Sequence, residues 1–274
     1  MIVFVGSRTT PPTAWDMSLP YQSLKYANPP IVEALVDFEF EPTGDWDWTL
    51  PGKLQAHARL KGFYEGKTKQ QQIWHAQIKG GQGQLHGVSV NEVPGRLFLQ
   101  NADGTRLLTI GPSVMSVNSL KPYEGWQSFR PRIESALEAY MELTGATRIV
   151  RVGVRYINRL HVTEEPVDLG RYLTVAPPPL PGIGCALVGH SSQTEYIVDA
   201  AHRLLMIHAV VRSPDGELDG ILLDLDAVWH AADGIPAQDA MTRVDELHQS
   251  ECAAFEAAIT DTTRALFGGV DDAG

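Results

Sequence analysis

The chain has 274 residues, of which 43% are hydrophobic and 20% are charged. This is ordinary globular usage, so the composition excludes wholesale disorder, and the length suits one large domain or two half-domains. The net charge of -11 disfavours bulk binding of nucleic acid or of an anionic membrane, because an acidic surface repels phosphate. No apolar run is long enough for a membrane span, and two cysteines are too few for a disulfide scaffold, so we expect a cytoplasmic protein without a membrane partner.

The first 25 residues are rich in proline and are expected to form an extended N-terminal arm. Met17 is an alternative start, which would make residues 1–16 an extension of the native protein. The arm therefore contributes no packed element to the predicted fold.

Residues 26–174 are predicted to form a ferredoxin-like half with the order strand, helix, strand, strand, helix, strand. The first strand shows strict alternation of apolar and acidic side chains, and the second helix repeats apolar residues every three or four positions. In this split βαβ order, the first and last strands lie side by side and antiparallel. The predicted elements are strand 31–40, helix 52–62, a hairpin of strands 96–101 and 106–118, helix 123–144 and strand 147–162.

A proline-rich linker at 175–183 is expected to separate this half from residues 184–274, because three consecutive prolines cannot lie in a central strand. The second half is predicted to be a strand meander followed by a long C-terminal helix from Ala237 to Phe267, in which Glu251 interrupts the apolar stripe. The fold class is therefore α+β, with two antiparallel-sheet-plus-helix halves. The meander strands are predicted at 184–191, 194–200, 203–213 and 219–228.

Several segments, in order along the chain, resemble a sporadically distributed, uncharacterised bacterial family. The resemblance covers residues 26–267, and the arm departs from the usual start of the family. It implies no catalytic residues, and the sporadic distribution suggests a link to mobile elements, toxin–antitoxin pairs or phage defence. The segments are NPPIVEA (28–34), YxGWxxF (123–129), RYINR (155–159), LDLD (223–226) and ITDxxR (259–264).

Three arginines at four-residue spacing, Arg151, Arg155 and Arg159, share one face of the predicted strand 147–162. Guanidinium groups bind phosphate and carboxylate well, so the row is a candidate site for a small anionic ligand such as a nucleotide. The alternative is a cross-strand ladder of ion pairs with the acids of strand 31–40. Those acids are Glu33, Asp37 and Glu39.

Asn158 lies on the apolar side of the same strand and is a further ligand-binding candidate. A buried amide needs hydrogen-bond partners, so the alternative is that it satisfies a neighbouring loop or strand end.

Asp224 and Asp226 flank Leu225, so the two carboxylates share one strand face and are candidate ligands of a divalent metal. The ligand set is incomplete, because spacing fixes no third acid or histidine beside them. The alternative is a solvent-facing strand edge with apolar packing behind it.

Trp46 and Trp48 stand on a predicted acidic loop and are candidates for a protein-binding patch. The alternative is that they cover the core, since tryptophan is strongly buried on average.

The sequence contains no complete nucleophile elbow, dinucleotide-binding fingerprint or phosphate-binding loop, and no cofactor is expected. The sequence therefore favours a non-enzymatic protein-binding or regulatory protein whose partner is another protein. The alternative is an enzyme or sensor that binds a small anionic ligand through the arginine-lined sheet face.

Overall fold

The computed structural model describes residues 26–42, 44, 46–66, 69–81, 84–178 and 186–268, and of residues 69–95 it describes only the backbone. The predicted arm of residues 1–25 and residues 179–183 of the predicted linker lie outside the described part. None of the described helices is both long and apolar enough to cross a membrane.

Runs of consecutive strands are followed by helices along the chain, which is an α+β arrangement and confirms the predicted class. The strands are β1 (Ile31–Phe40), β2 (Lys69–Gly81), β3 (Gln84–Gln100), β4 (Arg106–Gly111), β5 (Val114–Leu120), β6 (Arg148–Leu160), β7 (Ser191–Ile197), β8 (His202–Arg212) and β9 (Leu218–Pro236). The helices are α1 (Leu50–Gln55), α2 (Trp126–Thr144), α3 (Leu169–Tyr172), α4 (Ala240–Ala258) and α5 (Asp261–Leu266).

The nine described strands form one antiparallel sheet in the order β2-β3-β4-β5-β1-β6-β9-β8-β7. Strand β1 lies between β5 and β6, so the first and last strands of the first half are antiparallel neighbours, as the ferredoxin-like order predicts. The β2–β3 hairpin extends this core on one side. On the other side β9 pairs with β6, so both halves of the chain contribute to the same sheet.

Helices α2 and α4 cover one face of the sheet, which we call the helix face. Alternation in β1 directs Ala34, Val36, Phe38 and Phe40 into this core, where all four are buried. Phe129 of α2 is fully buried in the same core. We call the opposite face, which carries the acids of β1, the open face.

The predicted strand 106–118 is two strands joined by a tight turn. Gly111 pairs with Val114, and Ser113 between them has a positive φ of 54°. Pro112 has no backbone N–H to give to a ladder, so the single-strand prediction is wrong at this point. The turn reverses the direction of the chain, so that β5 can pair with β1.

The first meander strand does not form where it was predicted. Residues 186–190 have no strand conformation, so the predicted strand 184–191 is wrong over these residues. The second predicted strand, 194–200, corresponds to β7, which begins at Ser191. It ends at Ile197 rather than at residue 200, because the Asp199 carboxylate accepts hydrogen bonds from the amides of Ala201 and His202 and fixes a turn.

The long C-terminal helix is present, but it stops at Ala258 instead of continuing to Phe267. Ile259 is extended and forms a bridge with Leu173. The hydroxyl of Thr260 then accepts a hydrogen bond from the Thr263 amide and caps the separate helix α5.

Candidate functional site

The arginine row lies on the open face, and its members are bonded to carboxylates. Arg151 pairs with Asp37 on β1, as the ion-pair alternative predicts. Arg155 pairs with Asp224 on β9, through hydrogen bonds of 2.8 and 2.5 Å to its two carboxylate oxygens. This fork-to-carboxylate geometry occupies the guanidinium group that a bound anion would need.

The third arginine follows the same pattern at the end of the strand. Arg159 lies 2.9 Å from the carboxylate of Asp219, and the two side chains are 40% and 42% exposed. Glu33 accepts a hydrogen bond from Asn118, and Glu39 stands exposed. The ladder therefore runs to β9 as well as to β1, and the geometry favours ion pairs over an anion site.

The two predicted metal ligands stand on the open face, at the edge of this ladder. Asp224 is buried and forms an ion pair with Arg155. Asp226 has one carboxylate oxygen that is buried without a hydrogen-bond partner among the described residues. Burial raises the pKa of Asp226, against the opposing effect of Arg151 and Arg155. Arginines on both sides leave little electrostatic advantage for a divalent cation at this place.

The two tryptophans of the loop before α1 have different surroundings. Trp46 is half-buried and packs against the core, whereas Trp48 is 59% exposed. Their rings meet edge to face with centroids 6.0 Å apart. One of the two therefore covers the core, and the other is available for contact.

Asn158 lies on the helix face, on the other side of the sheet from the three arginines, and it lines a cavity there. Its side chain is buried, and its amide nitrogen lies 3.5 Å from the carbonyl oxygen of Tyr156. The cavity beside it has a volume of about 490 Å³. We call this cavity the α4 pocket, because α4 forms one wall.

Four parts of the chain build the α4 pocket: residues 26–31, the start of α2, strand β6 and helix α4. Its walls are largely aromatic, and its polar groups come mainly from β6 and α4. The lining side chains that matter for its chemistry are Tyr26, Tyr123, Glu124, Trp126, Tyr156, Asn158, His248, Glu251, Cys252, Phe255 and Glu256.

A hydrogen-bonded chain crosses the pocket between these elements. The hydroxyl oxygens of Tyr123 and Tyr156 are 3.0 Å apart, and the Tyr156 hydroxyl lies 3.3 Å from Nδ1 of His248. Burial raises the pKa of both tyrosines, so both are neutral hydroxyls at physiological pH.

His248 is held flat against Trp126 at the start of α2. The centroids of the two rings are 3.7 Å apart, and their planes are inclined by 18°. Burial lowers the pKa of His248 to about 4, so the imidazole is neutral at physiological pH. The pocket therefore gains no positive charge from this histidine.

Glu251 is the most buried of the three acidic residues that line the pocket. The side chain is 3% exposed, and burial raises its pKa well above the ordinary value, while the hydrogen bond with Cys252 acts in the opposite direction. No arginine or lysine is present among the described residues that line the cavity. Burying a carboxyl group in this way is costly unless another group compensates it.

Three potential metal ligands come together at this point, since the nearest donor atoms of His248, Glu251 and Cys252 lie within 4.8 Å of one another. The Cys252 sulfur is 3.7 Å from each of the two ring nitrogens of His248. A sulfur in the ring plane at that equal distance would overlap ring carbon, so it lies over the ring face. The nitrogen lone pairs point in the ring plane, away from a metal held beside the sulfur.

Sequence reasoning identified one wall residue, Asn158, and otherwise missed the pocket. One signal was present, because Glu251 interrupts the apolar stripe of the C-terminal helix. A second was that the segments NPPIVEA, YxGWxxF and RYINR, which carry the sequence resemblance, all contribute lining residues. Sequence spacing alone could not show that these distant segments meet.

No protein-family model matches this chain. No curated protein matches it either. The geometry of the α4 pocket is therefore the basis for a functional assignment of this α+β protein.

Proposed function

We propose that this protein binds a small organic molecule in the α4 pocket and acts as a ligand-binding or sensor protein. The observation that carries the proposal is a buried carboxyl group, Glu251, beside the Tyr123–Tyr156–His248 hydrogen-bonded chain in an aromatic-walled cavity. Such a combination of apolar walls and a few convergent polar groups is typical of ligand sites. The cavity volume of about 490 Å³ lies within the usual range for them.

The geometry supports binding better than covalent catalysis. A cysteine nucleophile needs a base whose nitrogen lone pair is directed at the sulfur. In the α4 pocket the Cys252 sulfur lies over the face of His248, and the Nδ1 atom of His248 is directed instead at the Tyr156 hydroxyl. The polar groups are thus placed to exchange hydrogen bonds with a bound molecule.

A fragment screen by thermal shift and ligand-observed NMR tests this function. We expect binders in the wild type and in Trp48→Ala, which removes a tryptophan outside the pocket. The same binders should be lost in Trp126→Ala, which removes one wall. Trp126→Ala also loses the stack with His248, so a second variant is needed. Ser128 is exposed at the rim of the cavity, and Ser128→Trp should abolish binding of the same fragments. Fragments that bind all four proteins equally would contradict the proposal.

A second candidate function is the binding of a partner protein through the loop that carries Trp48. The supporting observation is that this indole is 59% exposed, and an exposed tryptophan is typical of interface anchors. Crosslinking in cells through a photoreactive amino acid at position 48, identified by mass spectrometry, tests it. A specific partner that copurifies with wild type and not with Trp48→Ala is expected, and equal copurification would exclude this patch.

A further inference from the structure

Resting on the proposed function, we infer that the ligand of the α4 pocket is a small organic cation, a protonated amine or a quaternary ammonium group next to an apolar body. The inference follows from the charges in the pocket, from the chemistry of its walls and from the positions of its potential metal ligands.

All charged residues that line the described pocket are acidic. Two of the three already have cationic partners outside the cavity. Glu124 lies 2.5 Å from Arg132, and Glu256 lies 2.9 Å from Arg264. Glu251 has no arginine or lysine partner among the described residues, and it lies deepest. An ionised Glu251 therefore lacks a positive counterion in the described pocket, and a bound cation would supply one.

The walls next to Glu251 suit a cation that is organic rather than strongly hydrated. Tyr123, Tyr156 and Trp126 line the cavity, with the rings of Tyr123 and Tyr156 edge to face at 5.7 Å between centroids. Phe255 and Tyr26 close the other side. Aromatic rings attract an ammonium group through their electron-rich faces, and they do so most strongly where water is excluded.

Ligands of other classes fit less well. An anion would meet a cavity whose charged groups are all carboxylates. A neutral apolar molecule would offer neither charge nor a hydrogen bond to the buried carboxyl group of Glu251. A transition metal would require His248 to rotate out of its stack with Trp126, because the ring nitrogens do not point to the side on which the Cys252 sulfur lies.

The test uses three probes of nearly equal size and different charge: benzylammonium, benzyl alcohol and benzoate. Binding to the full-length protein is measured by ligand-observed NMR titration and calorimetry, with zinc chloride as a fourth probe. We expect benzylammonium to bind at least about tenfold more tightly than benzyl alcohol. We expect benzoate to show no saturable binding.

Two matched variants assign the preference to one carboxylate. Glu251→Gln should abolish the preference for benzylammonium over benzyl alcohol. Glu256→Gln removes a carboxylate of the same pocket that Arg264 already neutralises, and it should retain the preference. If both variants lose the preference for benzylammonium equally, or if Glu251→Gln keeps it, the assignment to Glu251 would be overturned.

The remaining outcomes separate the ligand class from the proposed function. Benzyl alcohol or benzoate binding as tightly as benzylammonium, with loss in Ser128→Trp, would keep the pocket as a ligand site and overturn the cation. Zinc binding that is lost in Cys252→Ser would overturn the organic cation in favour of a metal. Absence of pocket binding by any probe, together with a fragment screen without pocket-dependent hits, would overturn both proposals.

Discussion

The indole ring of Trp126 stacks on the imidazole ring of His248, with 3.7 Å between the ring centroids. This contact joins the first turn of α2 to the middle of α4, two helices that meet over β6. It also covers one face of the imidazole ring, and Nδ1 lies 3.3 Å from the Tyr156 hydroxyl. The stack thereby sets one wall of the α4 pocket and keeps its histidine uncharged.

Replacing Glu251 by Gln should stabilise the ligand-free protein, and by more as the pH rises. The pKa of Glu251 is raised in the folded state from 4.5, so its contribution to stability is fully present below pH 4.5 and is lost as the pH rises through the folded pKa. Its titratable neighbours in the pocket are Tyr123, Tyr156, His248 and Cys252. The gain should grow by at most about 1.4 kcal/mol per pH unit.

Urea unfolding of wild type and Glu251→Gln between pH 5 and pH 8 measures this gain. Glu256→Gln is the control, and it should not be stabilised, because that carboxylate is paired with Arg264. A difference between wild type and Glu251→Gln that does not change with pH would show that Glu251 does not titrate abnormally.

Protonation of His248 should destabilise the protein in acid. The pKa of this histidine falls from 6.5 to about 4 on folding, so its contribution to stability is present above pH 6.5 and is lost as the pH falls towards 4. The full loss would be up to about 3 kcal/mol. In the Glu251→Gln background the opposing titration of the glutamate is removed, and the effect of the histidine can be read directly.

The measurement compares Glu251→Gln with the double variant Glu251→Gln and His248→Gln by urea unfolding at pH 7.5 and pH 4.5. The double variant starts less stable, because the ring stack is lost, but it should lose less stability between the two pH values. Equal losses in the two proteins would rule out a depressed pKa at His248. Asp245, which faces His248 from the same helix, is present in both and cancels.

Local patterns predicted those parts of the fold that are set by a single segment. Alternation in residues 31–40 predicted β1 and its buried side, and the three-to-four spacing of apolar residues predicted α2. The same reasoning failed where a single turn decides the outcome. Gly111 to Ser113 divides one predicted strand into two, and the Thr260 cap divides one predicted helix into two.

The pocket was hidden from the sequence for a different reason. Its groups come from positions 123–126, 156–158 and 248–252, and only the packing of α4 over β6 brings them together. Spacing along the chain carries no information about that packing. The arginine row was easier to see because a strand displays it at a fixed interval, yet the partner of Arg155 comes from β9 rather than β1.

The pair between Arg155 and Asp224 should contribute strongly to stability. Asp224→Ala leaves the guanidinium group without its bidentate partner on a half-buried strand, and we expect a loss of about 2–3 kcal/mol in the free energy of unfolding. Arg159→Ala breaks the exposed pair with Asp219 and should cost less than about 1 kcal/mol.

Chemical denaturation of the two variants at pH 7 gives both values. Neither should change ligand binding in the α4 pocket, because both pairs lie on the open face. Similar small costs for the two variants would indicate that solvent screens the Arg155 pair as well. Loss of pocket binding in a folded Asp224→Ala protein would show that the two faces of the sheet are coupled.

The two loop tryptophans should separate a packing role from a contact role. Trp46 packs against the core and buries its indole nitrogen, so Trp46→Ala should lower the free energy of unfolding by about 2–3 kcal/mol. Trp48 is mainly exposed, and Trp48→Ala should change the same quantity by no more than about 0.5 kcal/mol. Chemical denaturation of the single variants measures the difference, which a double variant would conceal. A large loss in Trp48→Ala would mean that this indole packs against the protein, and the second candidate function would then lose its supporting observation.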